Sequence, residues 1–360
     1  MSNLPSSLRR RVMHGALTLL SLAAPWMAMP TAASAQDKVL NLYSARHYPG
    51  DEFMYEAFTK VTGIKINRVD SDDAGIVARL RAEGPASPAD VVMLVDAARM
   101  AAADAQGLFR PIKSAKLDAA IPPELRAART PEGVTWTGFS TRARVIVYDP
   151  LRVKAEDVAT YEQLADPKLT GLLCTRSGSH PYNLSLFATV IERLGDEKGM
   201  AWLNGLVANM ARAPKGGDTD QIRAVASGEC GVALSNSYYI ARLLKSDKPE
   251  DRKVMERVRE VFPNQATTGT HVNIAGAAVA RHAKNVDAAI AFMEFLASPL
   301  AQEYFANGNN EFPAARGVRL DNPALRAIGG ERFKTENIPL AVVAKNLTKV
   351  QQMLDRAGYK

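Results

Sequence analysis

Tyr238 and Tyr239 stand side by side in the stretch Glu229-Cys-Gly-Val-Ala-Leu-Ser-Asn-Ser-Tyr-Tyr-Ile-Ala-Arg242. Residues 232–234 read as a short buried strand and Ser235-Asn236-Ser237 as a turn or cap. Ile240, Ala241, Leu243 and Leu244 then have helical spacing. The pair therefore falls at the carboxyl end of a strand, where open α/β sheets place their ligands. Two adjacent phenols cannot both face a core, but at such a junction both can reach a crevice. His47-Tyr48 follows a strand over 39–43, and Tyr182 follows a strand over 172–174. Three strand-end loops thus offer one imidazole and four phenols.

That set has a specific chemistry. Phenolate is a hard anionic oxygen donor and imidazole suits iron among several metals, whereas thiolates would select softer ions. A free tyrosine has a pKa near 10, so four phenolates at neutral pH need a strong Lewis acid to displace their protons. Ferric iron is such an acid, with ferrous iron as the alternative oxidation state. Zinc or calcium would more naturally recruit Cys, His or carboxylates. Four phenolates leave one net negative charge on Fe(III) and two on Fe(II), so reduction should weaken the site. Arg46 beside the imidazole, and Arg242 one helical turn after Tyr238, can offset that excess from behind the ligands. The competing reading of both arginines is a solvated surface position, more so for Arg46.

Other candidates are weaker. A lone tyrosine most often supplies packing area with a wet hydroxyl, the reading given to Tyr43, Tyr55, Tyr148, Tyr161, Tyr304 and Tyr359. His180 is a sixth donor or a substitute for His47, against the plainer reading of a solvent-exposed loop residue. Gly216-Gly217-Asp218-Thr219 either seats an anion on backbone N–H groups or caps the next helix, and the cap is preferred. Asp90 and Asp96 flank a buried strand and read as structural. There is no Gly-x-Ser-x-Gly, no His-Glu-x-x-His and no Walker loop, and a site saturated with ligands suits binding rather than catalysis.

The elements that must position these loops alternate. A strand over 39–43 leads to a helix over 51–61 with Phe53, Met54, Ala57, Phe58 and Val61 on one side and Gly63 as its stop. Strands over 64–68 and 89–95, with a helix around Ile76, Val77 and Leu80 between them, complete a βαβαβ order and a parallel sheet. Two β-rich segments, 136–139 and 143–148, mark the crossing into a second lobe. There the strand over 172–174, a helix through Leu184 to Leu194 stopped by Gly195, a helix over 222–226 and the 232–234 strand repeat the alternation. Residues 272–280 are strand-like, 286–296 form a helix ended by Ser298-Pro299, and an amphipathic helix through Leu340, Val343, Leu347, Val350, Met353 and Leu354 closes the chain. The pattern predicts an α/β fold of two lobes, each a mostly parallel sheet flanked by helices. The expected boundaries are 36–137 with 268–335 for lobe one, and 138–267 with 336–360 for lobe two. Such a hinged clamshell closes around a ligand.

At 360 residues the chain has room for two domains. Arg9-Arg10-Arg11, an apolar stretch over 12–29 and Ala33-Ser34-Ala35 read as a signal peptide over 1–35, with Gln36 as the mature start. The consecutive arginines also fit, loosely, a twin-arginine signal. Net charge is +7, of which three are those arginines, leaving +4 on the remainder. With no dense basic stripe interleaved with aromatics, nucleic acid is a poor partner. Cys174 and Cys230 are the only cysteines; in an exported chain they read either as a disulfide or as two buried thiols.

The stretches Tyr43-Ser-Ala-Arg-His-Tyr48, Ser87-Pro-Ala-Asp-Val-Val92, Leu206-Val-Ala-Asn-Met-Ala-Arg212 with Gly216-Gly-Asp-Thr219, Ser237-Tyr-Tyr239 and Asn309-Asn-Glu-Phe-Pro313 resemble periplasmic ferric-ion-binding proteins of iron ABC importers, cyanobacterial-type branch. The likeness spans essentially the whole mature chain. It implies a type II periplasmic-binding-protein clamshell, a periplasmic monomer, and delivery of Fe(III) to an inner-membrane ABC permease. The family's ligands fall on His47, Tyr48, Tyr182, Tyr238 and Tyr239; His180-Pro181 departs from the small residues expected ahead of Tyr182. Competing readings are a receptor for another solute, an anion or a polyamine, and a periplasmic enzyme on the same fold. An anion receptor would rely on arginines and backbone N–H groups, and a polyamine receptor on carboxylates with aromatic walls.

Overall fold

The computed structural model describes residues 39–46, 48, 50–330, 332–338 and 340–360. The expected leader over 1–35 lies outside the described residues, as does His47. Leu40 and Leu42 are wholly buried in β1 (Val39–Ser44), which leads to α1 (Asp51–Thr62). Gly63 stops that helix in the left-handed region at φ 71°, which a glycine adopts without a Cβ clash. β2 (Lys65–Asp70), α2 (Asp73–Glu83), β3 (Val91–Leu94) and α3 (Ala97–Ala105) follow. β1 pairs in parallel with both β2 and β3, the expected βαβαβ unit. After α4 (Ala115–Ala120) comes β4 (Trp136–Tyr148), buried along all 13 residues. The two β-rich segments expected there are one strand, with a register shift between Gly138 and Ser140.

The alternation then repeats through β5 (Leu173–Cys174), α5 (Pro181–Leu194), α6 (Asp196–Ala208), α7 (Asp218–Ser227), β6 (Val232–Asn236), α8 (Ser237–Leu244), α9 (Pro249–Arg257) and β7 (Arg259–Val261). The chain continues through β8 (Val272–Val279), α10 (Val286–Leu296), α11 (Pro299–Asn307), β9 (Phe312–Pro313), α12 (Pro323–Ala327) and α13 (Leu340–Ala357). Strand order is β2-β1-β3-β8-β4-β6-β5, with β7 and β9 on β4. β8 runs antiparallel to both β3 and β4, and β4 antiparallel to β6, while β5 and β6 are parallel. Two parallel segments are thus joined through a central antiparallel pair of long strands.

Three apolar clusters fill the molecule. One holds Leu42, Phe58, Val92, Phe139, Phe292 and Phe305; a second holds Ile146, Phe187, Trp202, Leu234 and Met353; a third holds Val145, Ile222, Ile240 and Leu325. Cys174 and Cys230, both buried, are disulfide-bonded with Cα atoms 5.8 Å apart. The bridge ties the two-residue strand β5 to the segment entering β6. Among the described residues no helix is long and apolar enough to cross a membrane.

Some local readings need correction. Phe53 and Val61 are 62% and 67% exposed, because the buried arc of α1 is Met54, Tyr55 and Phe58, a step around the helix. Phe53 instead stacks on Tyr304 at 6.1 Å. Of the two readings of Ser235-Asn236-Ser237 the cap holds and the turn does not: β6 runs through Asn236, which stands at the N-cap of α8, and the helix starts at Ser237. Ser298 does end one helix, but it also caps α11, with Pro299 in its first turn. Helices α3, α4, α6, α9, α11 and α12 lie in stretches that the apolar spacing does not mark as helical.

Candidate metal centre

The loop after β1 is clamped from behind. Arg46 is buried, donating from Nε and Nη2 to Asp51 at 2.8 and 3.0 Å and from Nη2 to Glu311 at 3.0 Å. Asn309 holds Asp51 through a second bond of 2.9 Å. Asn310 occupies the left-handed region at φ 58°, which asparagine tolerates better than most residues. That turn brings Glu311 beneath the arginine, a role for the Asn309-Asn-Glu motif. The Arg46 guanidinium faces the rings of Tyr48 at 4.8 Å and Phe305 at 5.0 Å. A surface position for Arg46 is therefore wrong: two carboxylates draw it inward.

The four phenols meet. Tyr48 and Tyr238 pack edge to face at 5.9 Å, Tyr238 and Tyr239 lie 4.2 Å apart, and the hydroxyls of Tyr182 and Tyr238 are 3.2 Å apart. Tyr48, Tyr182 and Tyr238 are buried and Tyr239 is half-buried. Burial raises the Tyr48 and Tyr238 phenols well above their ordinary range, helped by Glu311 at Tyr48 and by the neighbouring phenols at Tyr238. Burial pushes Tyr182 up to about 12, with Arg142 pulling the other way. In the metal-free protein these three groups are therefore neutral at pH 7, and a metal must expel their protons.

Behind Tyr182 the surroundings are cationic. The guanidinium groups of Arg142, Arg176 and Arg144 stand 5.4, 5.2 and 6.0 Å from its ring. Arg144 pairs with the buried carboxylate of Asp218 and donates to Asn183 at 2.7 Å and Asn236 at 3.1 Å. Arg142, 1% exposed, differs: none of its three nitrogens has a hydrogen-bond partner among the described residues. An unpaired buried cation is costly, and the neutral phenols beside it carry no counter-charge.

His180 is not a solvent-exposed loop residue. It is half-buried at the start of α5, where Nδ1 accepts from the Tyr182 N–H at 3.3 Å. Burial, aided by Arg176 and Arg144, lowers its pKa to about 3, so the ring is neutral. Arg242 is exposed, its guanidinium 5.8 and 5.4 Å from the rings of Tyr238 and Tyr239. A cavity of about 730 Å³ adjoins Tyr48, Tyr182 and His180 and is bordered further out by Arg68, Arg99 and Asp70 to Asp73. Among the described residues no cluster of three or more His, Cys, Asp or Glu could hold a metal.

Comparison with known proteins decides the family. A model described as bacterial extracellular solute-binding protein matches residues 54–327. The chain belongs to that family. Iron uptake protein A2 of Synechocystis is 47% identical over 347 residues, covering 96% of each chain. Among solved structures, a Trichodesmium protein in complex with iron and citrate ligands is 44% identical at a TM-score of 0.82, covering 89% of this chain and all of that one. The ferric binding protein from Campylobacter jejuni is 36% identical at 0.83, with the same coverage. The fold is thus the two-lobed type II clamshell of this family of solute-binding proteins, which are binding proteins rather than enzymes.

In this solute-binding chain, sequence reasoning missed Arg142, Arg144, Arg176, Asn183 and Glu311 as parts of the site, and read Asp218 as part of a helix cap in preference to an anion seat. A signal was present for two of them. Arg142 and Arg144 interrupt an otherwise apolar strand, and charge inside a two-faced buried strand requires a reason. No local pattern marks the others.

Proposed function

We propose that this chain is a periplasmic receptor that captures Fe(III) through His47, Tyr48, Tyr182, Tyr238 and Tyr239 and delivers it to an inner-membrane ABC permease. The observation that carries the reading is a cluster of four phenols beside buried Arg142, whose guanidinium has no hydrogen-bond partner among the described residues. Phenolates formed on metal binding supply the anions that Arg142 lacks, so site and counter-charge become complementary only when the metal is present. His47 enters from the chain position next to Tyr48. Arg46 holds the first loop in place, and Arg242 offsets charge at the rim of the tyrosine pair. The relatives named for iron uptake and ferric binding support the same cargo.

In this reading residues 1–35 are the export signal, whose consecutive arginines allow the twin-arginine route. Lobe one comprises 36–137 and 268–335, and lobe two 138–267 and 336–360. The protein acts as a monomer, because a clamshell that must dock a permease gains little from burying its rim, and nucleic acid is no partner. Fe(III) is the carried state, and reduction to Fe(II) leaves a surplus negative charge that loosens the site.

The cavity beside Tyr48 and Tyr182 is far larger than a bare ion, and the Trichodesmium structure holds citrate with its iron. A small carboxylate accompanying the metal is therefore a second form of the same cargo. The deciding experiment is a visible-absorption titration of the metal-free mature protein with a soluble ferric chelate. One equivalent of iron should produce a saturating phenolate-to-iron band that dithionite bleaches. A protein that stays colourless removes iron from the assignment, and a band whose position moves on adding citrate establishes the accompanying anion.

A further inference from the structure

Asp218 opens α7 within Gly216-Gly-Asp-Thr219, and its carboxylate is fully buried. Capping this helix falls elsewhere: Asp220 accepts from the Gly217 N–H at 2.8 Å. Asp218 faces inward instead and gathers three segments. Oδ2 accepts from the Asn236 N–H at 2.8 Å, two residues before Tyr238, and also from Arg144 on β4. Oδ1 accepts from Arg176 at 3.2 Å, in the loop leading to Tyr182. Arg144 extends the tie to the Asn236 side chain and to Asn183, the residue after Tyr182. Asn183 in turn donates to the carbonyls of Arg176 and Ser177 at 3.0 and 3.2 Å.

A buried ion pair contributes little net stability against apolar packing of the same volume. What this one does provide is direction, since each bond fixes an angle as well as a distance. We propose that Asp218 is the positioning residue of the ferric site. Through Arg144 and Asn183 it sets the spacing between the start of α5, which carries Tyr182, and the start of α8, which carries Tyr238 and Tyr239; the Tyr182 and Tyr238 hydroxyls meet at 3.2 Å. Asp218 acts only through its neighbours, as residues one layer behind metal ligands do. The inference rests on the reading that these tyrosines hold iron.

The test compares intact mature protein carrying Asp218→Asn, Asn183→Ser or the double change Asp218→Asn/Arg176→Gln with the unmodified chain. Each is isolated from the periplasm of expressing cells and titrated metal-free with ferric nitrilotriacetate. Asp218→Asn should weaken iron binding roughly 10- to 100-fold and shift the phenolate-to-iron band, since ligand geometry sets its energy. The double variant should recover thermal stability, because the excess cation is gone, without recovering the band. A folded Asp218→Asn protein with unchanged band and affinity overturns the inference, as does a double variant whose iron affinity returns with its melting temperature. If Asp218→Asn fails to fold, Asn183→Ser decides: it removes no charge, and an unshifted band there overturns the proposal. No band in the unmodified protein is a different result, and it defeats the ligand reading itself.

Discussion

The two sides of the tyrosine cluster are backed by opposite charge. Behind Tyr48 lie one arginine and two carboxylates, Arg46 with Asp51 and Glu311, a net of one negative charge. Around Tyr182 lie three arginines, Arg142, Arg144 and Arg176, against the single carboxylate of Asp218, a net of two positive charges. Both phenols are buried, and burial is the largest cause of the rise at each. The contrast lies in what acts beside that burial, and it teaches that the two sides differ in charge: Glu311 adds to the rise at Tyr48, while Arg142 opposes it at Tyr182. On the Tyr182 side a phenolate meets cations already in place. On the Tyr48 side it meets a net negative charge instead.

The largest effect expected on this comparison comes from removing the shared partner of both sides. Replacing Tyr238 and Tyr239 together with Phe should abolish ferric binding and its colour while circular dichroism shows an intact fold. Stoichiometric iron retained by that variant would remove the tyrosine pair from the site.

The asymmetry itself is tested by a pair of neutralising changes of opposite sign. Arg142→Gln withdraws a cation from the phenols, so protons compete better and the acid limb of iron binding should move up by roughly one pH unit. Glu311→Gln withdraws an anion near Tyr48 and should move the limb down. Arg142→Gln should also raise the melting temperature of the metal-free protein, because it removes an unpaired buried charge. Equal shifts in the same direction would dissolve the contrast between the two sides.

A smaller effect concerns stability without metal. His271 is buried beside Arg144, and burial lowers its pKa to about 3, as it does for His180. The unfolded chain takes up these protons near pH 6.5 and the folded one does not. Stability should therefore fall as pH drops from about 6.5 toward 3, and be fully present above that window. Asp73, raised to about 6 by burial, works the other way over the range from about 4 to 6, because its folded form binds the proton more tightly. His271→Gln should flatten the acid limb of a denaturation series measured against pH, and an unchanged slope would place the acid sensitivity elsewhere. The smallest effect is reserved for Arg242→Gln. Its guanidinium is exposed and screened, so ferric affinity should fall only a few-fold, with the loss shrinking as salt is added.

Much of the fold was legible because it rests on local rules. Apolar alternation marked β1 and β8, Gly63 and Gly195 marked helix ends, and the order of strands and helices gave two parallel segments. The site was legible to the extent that its residue types are unusual at strand ends: four phenols in three loops. Partners of those phenols were hidden, since Asp218 and Glu311 are ordinary acidic residues until a long strand or a left-handed Asn310 brings them under an arginine.

By itself the sequence determined the order of the main strands, the segments that carry the tyrosines and the preference of hard phenolate donors for a strongly acidic metal ion, because these depend on residue type and near-neighbour spacing. Only the tertiary structure decided that Arg46 turns inward, that His180 is a half-buried helix cap, that Cys174 and Cys230 are joined, and that Arg142 is buried with no hydrogen-bond partner among the described residues. Arg46 meets Glu311 across 265 residues and Cys174 meets Cys230 across 56, so groups far apart along the chain share one low-dielectric volume. There, burial and opposite charge act over a few ångströms of space rather than along the chain.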